Sequence, residues 1–246
     1  MEKNREYILG YGVDLLTKKE GLDFISKKLI NNEGAQIVTI NPEMIEMGDQ
    51  NDELADILQG ADLTIPDGVG IKLALKIRGI KQEQVPGIEF AKNLVEICAK
   101  NNYPIAFIGA QEEVVNRAVE NLKKEYNGLN VVYKHNGYFE NEETIIDALL
   151  EAAPKVILVA MGVPRQEFFI KKIKEKKDDI ILIGVGGSFD VWSGFTKRAP
   201  VIWQKMGLEW LYRAIKQPER FKRIFPTLPL FLIKVIIETT QLEKDY

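Results

Sequence analysis

The residues of this chain best placed to do chemistry stand in turns that follow short apolar runs. Asp67 lies in Pro66-Asp67-Gly68, directly after Leu63–Ile65, where a carboxylate can take a proton from a substrate hydroxyl. The same tripeptide is a generic turn signal, so a structural role for Asp67 stands beside the catalytic one. Asn41-Pro42-Glu43 follows Gln36–Ile40, and Gly109-Ala110 follows Ile105–Ile108. Met161-Gly162-Val163-Pro164-Arg165-Gln166-Glu167 follows Val156–Ala160, and Gly186-Gly187-Ser188-Phe189-Asp190 follows Ile180–Val185. All of these turns except Asn41-Pro42-Glu43 carry glycine, which lets a backbone approach a phosphate or sugar closely and aims helix N-terminal N–H groups at an anion. The chemistry suggested is a nucleotide diphosphate held by peptide dipoles. Asn41-Pro42 also fits a capped helix start with proline at the first helical position, and that is the simpler reading of Asn41. Gly184-x-Gly186-Gly187 looks like a dinucleotide fingerprint, but Phe189 stands where the third glycine belongs, which weakens the case for a nicotinamide site.

Other chemistries lack material. The single histidine, His135, sits between Val131-Val132-Tyr133 and the Asn136-Gly137 turn, and reads as a turn residue. No Asp-x-Asp pair is present to hold a divalent ion on a diphosphate, so neither a required metal nor another cofactor is expected. The single cysteine, Cys98, falls among Leu94, Val95 and Ile97 in a helical pattern and reads as buried filler, in a chain suited to a reducing compartment. With 246 residues and a net charge of −3, the chain can bury a full core but lacks the basic footprint of a nucleic-acid binder. No signal peptide is visible at the N-terminus, which points to the cytoplasm.

The elements that must position these turns are apolar runs alternating with amphipathic stretches. Tyr7–Leu9, Gln36–Ile40, Leu63–Ile65, Ile105–Ile108, Val131–Tyr133, Val156–Ala160 and Ile180–Val185 read as strands. Leu15–Ile30, Glu43–Leu58, Glu112–Tyr126 and Glu167–Lys176 read as helices between them. Such alternation implies an α/β fold with a mostly parallel, Rossmann-like sheet covered by helices on both faces, whose ligands sit beyond the carboxyl ends of the strands. Composition changes near Thr196, so residues 1–196 read as the α/β body and 197–246 as a helical appendage.

From Arg198 to Ile237 there are eight basic residues against two acids, with Trp203 and Trp210 among them. Basic, tryptophan-bearing and apolar together is the composition of a segment lying on an anionic membrane. Val201–Gln217 placed on a helical wheel is apolar over most of its circumference, which also fits a core helix at a domain or subunit interface. The apolar run that follows is interrupted by Pro226, Pro229 and Lys234 and falls short of the roughly 20 residues that cross a bilayer.

Taken in order, seven pieces carry a resemblance along almost the whole chain. They are Thr39-x-Asn41-Pro42-Glu43, Pro66-Asp67-Gly68, Val85-Pro86-Gly87, Phe107-x-Gly109, Gly162-x-Pro164-x-Gln166-Glu167, Gly184-Val185-Gly186-Gly187-x-Phe189-Asp190 and Gly207-Leu208-Glu209-Trp210-Leu211-Tyr212-Arg213. Together they resemble the WecG/TagA/CpsF glycosyltransferases. The resemblance implies metal-independent, inverting transfer of N-acetylmannosamine from UDP onto undecaprenyl-diphosphate-linked N-acetylglucosamine for wall teichoic acid, at the inner face of the cell membrane. A uronic-acid donor or another UDP-sugar, for a different surface polysaccharide, is the alternative. It also implies Asp67 as the base, with Thr39, Asn41 and Gln166 around the sugar and Phe189-Asp190 at the nucleoside, where Tyr138 stacks on uracil. Gly68, Gly109, Pro164, Glu167, Gly186 and Gly187 complete the substrate-binding set, and Arg213, Arg220 and Arg223 suit the grip on a lipid diphosphate. Gln84 departs from the arginine the family often carries before Val-Pro-Gly, and Glu89 replaces a usual aspartate. A homo-oligomer formed through the body is compatible with this reading. The competing classes are a soluble nucleotide-dependent oxidoreductase and a non-catalytic membrane adaptor.

Overall fold

Leu9 and Gly10, both with positive φ, turn the chain between β1 (Arg5–Ile8) and β2 (Tyr11–Asp14). These two strands form an antiparallel hairpin separate from the main sheet, so the Tyr7–Leu9 run does not open the parallel sheet. The computed structural model describes residues 4–200, 203, 212 and 218–242, without the side chains of residues 218–226.

The main sheet contains β3 (Ala35–Ile40), β4 (Leu63–Pro66), β5 (Ile105–Gly109), β6 (Val131–His135), β7 (Val156–Ala160) and β8 (Ile181–Gly184). Their order across it is β4-β3-β8-β7-β5-β6, and every pairing is parallel. Parallel strands need crossover connections, which the helices supply. These are α1 (Lys18–Ile30), α2 (Pro42–Gly48), α3 (Asp52–Gln59), α4 (Gly68–Ile77), α5 (Gly87–Asn101), α6 (Glu112–Glu125), α7 (Glu142–Glu151), α8 (Arg165–Lys176) and α9 (Ser188–Trp192). The stretch 43–58, which reads as one helix, is two: the chain breaks at Asp49-Gln50 and restarts where Asn51 Oδ1 accepts from Leu54 N.

Alternate strand residues go to opposite faces and build separate cores. Ile37, Phe107, Leu158 and Ile183 pack with α1, α5, α6 and α9. Val38 and Ile40 meet the hairpin, α2, α3 and α4, while Ile108, Val159 and Leu182 meet α7 and α8. Cys98 is fully buried in the first core, and burial pushes its thiol up to about 12, as an inert filler requires.

The last described helix, α10 (Pro218–Leu242), runs for 25 residues through Pro226 and Pro229, which the sequence presents as interruptions. Internal proline costs about 3 kcal/mol in a helix, and packing offsets it here. Phe231 and Val235 are fully buried against the hairpin, α2 and α4. Lys234 pairs with Glu46 and Asp49 of the body. Arg78, at the end of α4, pairs with both Glu6 and Glu238, and Glu238 also accepts from Leu9 N at 3.0 Å. Part of the 197–246 segment is therefore docked on the α/β body. No described helix is long and apolar enough to cross a membrane.

Candidate functional site

All six parallel strands end at one edge, which gathers the glycine-bearing turns. At its β4–β3 corner, the register pairs Thr39 with Ile65 and Ile40 with Pro66, so Asn41 and Asp67 are the first residues beyond two adjacent strands. Asp67 N donates to Ile40 O at 3.0 Å. Asn41 Oδ1 accepts from Met44 N at 3.1 Å, capping α2 with Pro42 at its first turn, as the simpler sequence reading expects. Asp67 precedes α4 in an extended conformation and makes no side-chain cap bond to it. The start of α5 closes the corner, because a Cβ on Gly87 would lie 2.9 Å from Thr39 Cγ2 and Val85 N donates to Pro66 O. Thr39, Asn41 and Asp67 are all half-buried, and the N-termini of α4 and α5 bring partial positive charge to the same place. A carboxylate beside a hydroxyl and an amide, with two helix N-termini nearby, can accept a proton close to a bound anion. The tail reaches this corner as well: a Cβ on Gly70 would lie 2.9 Å from Leu228 Cδ1 of α10.

At the middle of the edge, Gln166 is 3% exposed and every hydrogen bond it makes is internal. Its Oε1 accepts from Gly162 N at 3.2 Å and Gly186 N at 3.1 Å, tying the turn after β7 to the turn after β8. Its Nε2 donates to Glu167 Oε1 at 2.8 Å. The two glycine N–H groups that the sequence aims at a phosphate are thus committed to a side chain. Gly184 makes room for this pair, since a Cβ there would clash with the Gln166 amide and stand 3.2 Å from Glu167 Oε1. Burial pushes the Glu167 carboxyl up to about 7, while the bond from Gln166 pulls the other way. Pro164 precedes α8, preceded by a cis peptide bond.

Phe189 is fully buried between Phe107 and Trp192, with ring centroids 5.6 and 5.8 Å away, and so contributes core packing. Its neighbour Asp190 is half-buried and its carbonyl accepts from Thr196 N. Gly187 precedes α9. Gly109 allows β5 to close on β7, where Ala110 N donates to Ala160 O at 2.8 Å and a Cβ would strike that carbonyl. Tyr138 is 69% exposed beyond β6, in a turn fixed by Asn136 Oδ1 accepting from Tyr138 N at 2.7 Å. His135, which reads as a turn residue, is instead the last residue of β6, with its Nδ1 2.8 Å from Asn136 O. Among the described residues, no cluster of three or more His, Cys, Asp or Glu side chains could hold a metal ion.

The family model described as Glycosyl transferase WecG/TagA/CpsF family matches residues 6–245. The chain belongs to this family. It is 31% identical over 228 residues to the N-acetylglucosaminyldiphosphoundecaprenol N-acetyl-beta-D-mannosaminyltransferase of Bacillus spizizenii, covering 87% of this chain and 88% of that protein. It is also 31% identical over 219 residues to the protein of the same name from Bacillus subtilis, covering 88% and 85%.

Within this WecG/TagA/CpsF chain, the sites the sequence singled out fall into two groups along the edge. Thr39, Asn41, Asp67 and Gly68 form one corner; Gly162, Pro164, Gln166, Glu167 and Gly186 form the centre. Tyr138 stands apart at the β6 side, and Arg213 and the side chains of Arg220 and Arg223 lie outside the described residues. Glu89 receives Arg198 at 2.9 Å and Lys18 at 3.6 Å, giving the first turn of α5 a cationic neighbour that sequence reasoning missed. Its partners lie 109 and 71 positions away in the chain, and no local pattern announces such pairs.

Proposed function

We propose that this protein transfers N-acetylmannosamine from UDP-N-acetylmannosamine to undecaprenyl-diphosphate-linked N-acetylglucosamine, forming a β-linkage with inversion, as the linkage unit of wall teichoic acid is made. The relatives' shared name supplies the acceptor and the transferred sugar. The single observation that carries the chemistry is the β3–β4 corner, where Asp67 is half-buried beside Thr39 and Asn41, directly before the N-terminus of α4. In this reading the acceptor hydroxyl attacks the sugar C1 on the face opposite UDP. Asp67 takes the hydroxyl proton as the new C–O bond forms, the C1–O bond to the β-phosphate breaks, and UDP leaves as an anion. The N-termini of α4 and α5 stabilise developing negative charge without reorganising. Thr39 and Asn41 orient the sugar, and Tyr138, exposed at the edge, stacks on uracil.

The membrane reading rests on α10. Its inner side is buried on the body, while Leu230, Ile233, Ile236 and Ile237 are about half exposed on the other side. An apolar ridge of that kind, with Leu228 against the first turn of α4, would bring the inner leaflet and its lipid-linked acceptor to Asp67. Arg213, Arg220 and Arg223 would then grip the acceptor diphosphate. Measuring UDP release from UDP-N-acetylmannosamine with a short-chain lipid-diphosphate acceptor tests the function; release with neither this donor nor its uronic-acid analogue would reject it.

A further inference from the structure

Gln166 and Glu167, consecutive in the first turn of α8, are almost wholly buried at the carboxyl edge of the sheet. Glu167 stands one hydrogen bond behind the two turns that Gln166 ties together. Its second oxygen, Oε2, is buried with no hydrogen-bond partner among the described residues. The absent side chain at Gly184 keeps this space for the pair.

Among the described residues, no charged side chain compensates the carboxyl. The strands β7 and β8 carry no ionisable side chain. On α8, Lys171 pairs with Glu53 of α3, Lys172 with Glu142 of α7 and Lys174 with Asp62, while Arg165 lies over the Phe139 ring. None of these acts on Glu167, whose ionisation is governed by burial and by the bond from Gln166, so that it titrates near neutrality.

We infer that Glu167 is a positioning residue for the donor: through Gln166 its charge state governs how the Gly162 and Gly186 turns receive a nucleoside diphosphate, which binds more tightly when Glu167 is protonated. The inference rests on the donor reading above. Neutral Glu167 places no charge behind the two turns. Ionised Glu167 sets a negative charge behind them, in surroundings that screen it weakly. By linkage, a bound anion favours the protonated form, so binding at neutral pH takes up a proton.

The test is calorimetric titration with UDP between about pH 6 and pH 8, in buffers of different ionisation enthalpy, on the whole protein and on Glu167→Gln. The amide keeps an acceptor for Gln166 Nε2 while removing the charge, and the titration of UDP itself is common to both proteins. Wild-type affinity is expected to fall roughly fivefold to tenfold more than that of the variant as pH rises, with a proton uptake that the variant lacks. In turnover assays the pH dependence should sit in the donor KM, with kcat little moved. Infrared titration of the wild type gives a second reading that needs no variant: a buried carboxylic acid band should persist to about neutral pH and shift when UDP is added. A variant with the wild-type pH profile, or a wild type without such a band, would overturn the inference alone. A wild type that binds no UDP at any pH would overturn the donor reading, and the inference with it.

Discussion

Gln166→Ala separates a structural staple from a substrate contact. The substitution leaves Gly162 N, Gly186 N and Glu167 Oε1 without their partner. A buried polar group left unpaired costs about 1–3 kcal/mol. Water entering the vacated space would recover part of this, so the expected loss is about 3–5 kcal/mol, a large share of a typical total of about 5–15 kcal/mol. The direction of the pH effect follows from the same contact. Losing the bond from Gln166 raises the Glu167 carboxyl further, and a raised carboxyl contributes stability below its unfolded value that disappears as pH rises through the folded one. The variant should therefore be more strongly destabilised at pH 8 than at pH 5. Urea unfolding followed by circular dichroism at both values measures this. A loss below about 1 kcal/mol at both, accompanied by lost turnover, would refute the staple and make Gln166 a substrate contact alone.

Removing residues 197–246 should cost about 3–6 kcal/mol, because Phe231 and Val235 leave the core formed with α2, α4 and the hairpin, and the bared surface should self-associate. Urea unfolding and light scattering check it, and unchanged stability would mean the packing of α10 contributes little. Saturating EDTA should leave turnover intact; loss restored by Mg²⁺ or Mn²⁺ would contradict a metal-independent site. Arg→Lys at 213, 220 and 223 should lower turnover with a water-soluble acceptor in at least one case, since lysine cannot reproduce the planar fork. Silence in all three would reduce those arginines to membrane attraction worth about 1 kcal/mol each.

The strand ends were legible in the sequence because buried parallel strands read as continuous apolar runs that glycine turns interrupt. That pattern by itself brings Asp67 and Gln166 to one edge. The hairpin was not legible: Leu9-Gly10 puts a leucine at a positive φ, a conformation that short turns usually give to glycine or asparagine. The course of α10 through Pro226 and Pro229 was equally hidden, since the stabilising contacts are with residues such as Ile8 and Ile71, far off in the chain. Phe189 matched a family motif by position, yet position does not say which way a ring faces, and it faces the core. The commitment of the Gly162 and Gly186 N–H groups to Gln166 depends on strands β7 and β8 lying side by side, which spacing along the chain does not encode.

In the proposed mechanism Asp67 accepts the acceptor's proton during sugar transfer. The most direct test of this step compares UDP release by the wild type and Asp67→Asn, with UDP-N-acetylmannosamine, a short-chain lipid-diphosphate acceptor and a parallel measurement of UDP affinity. The amide preserves shape but cannot take the proton, so turnover should fall by roughly 10²–10⁴ while UDP affinity stays within about twofold. Turnover near that of the wild type would remove Asp67 from the mechanism.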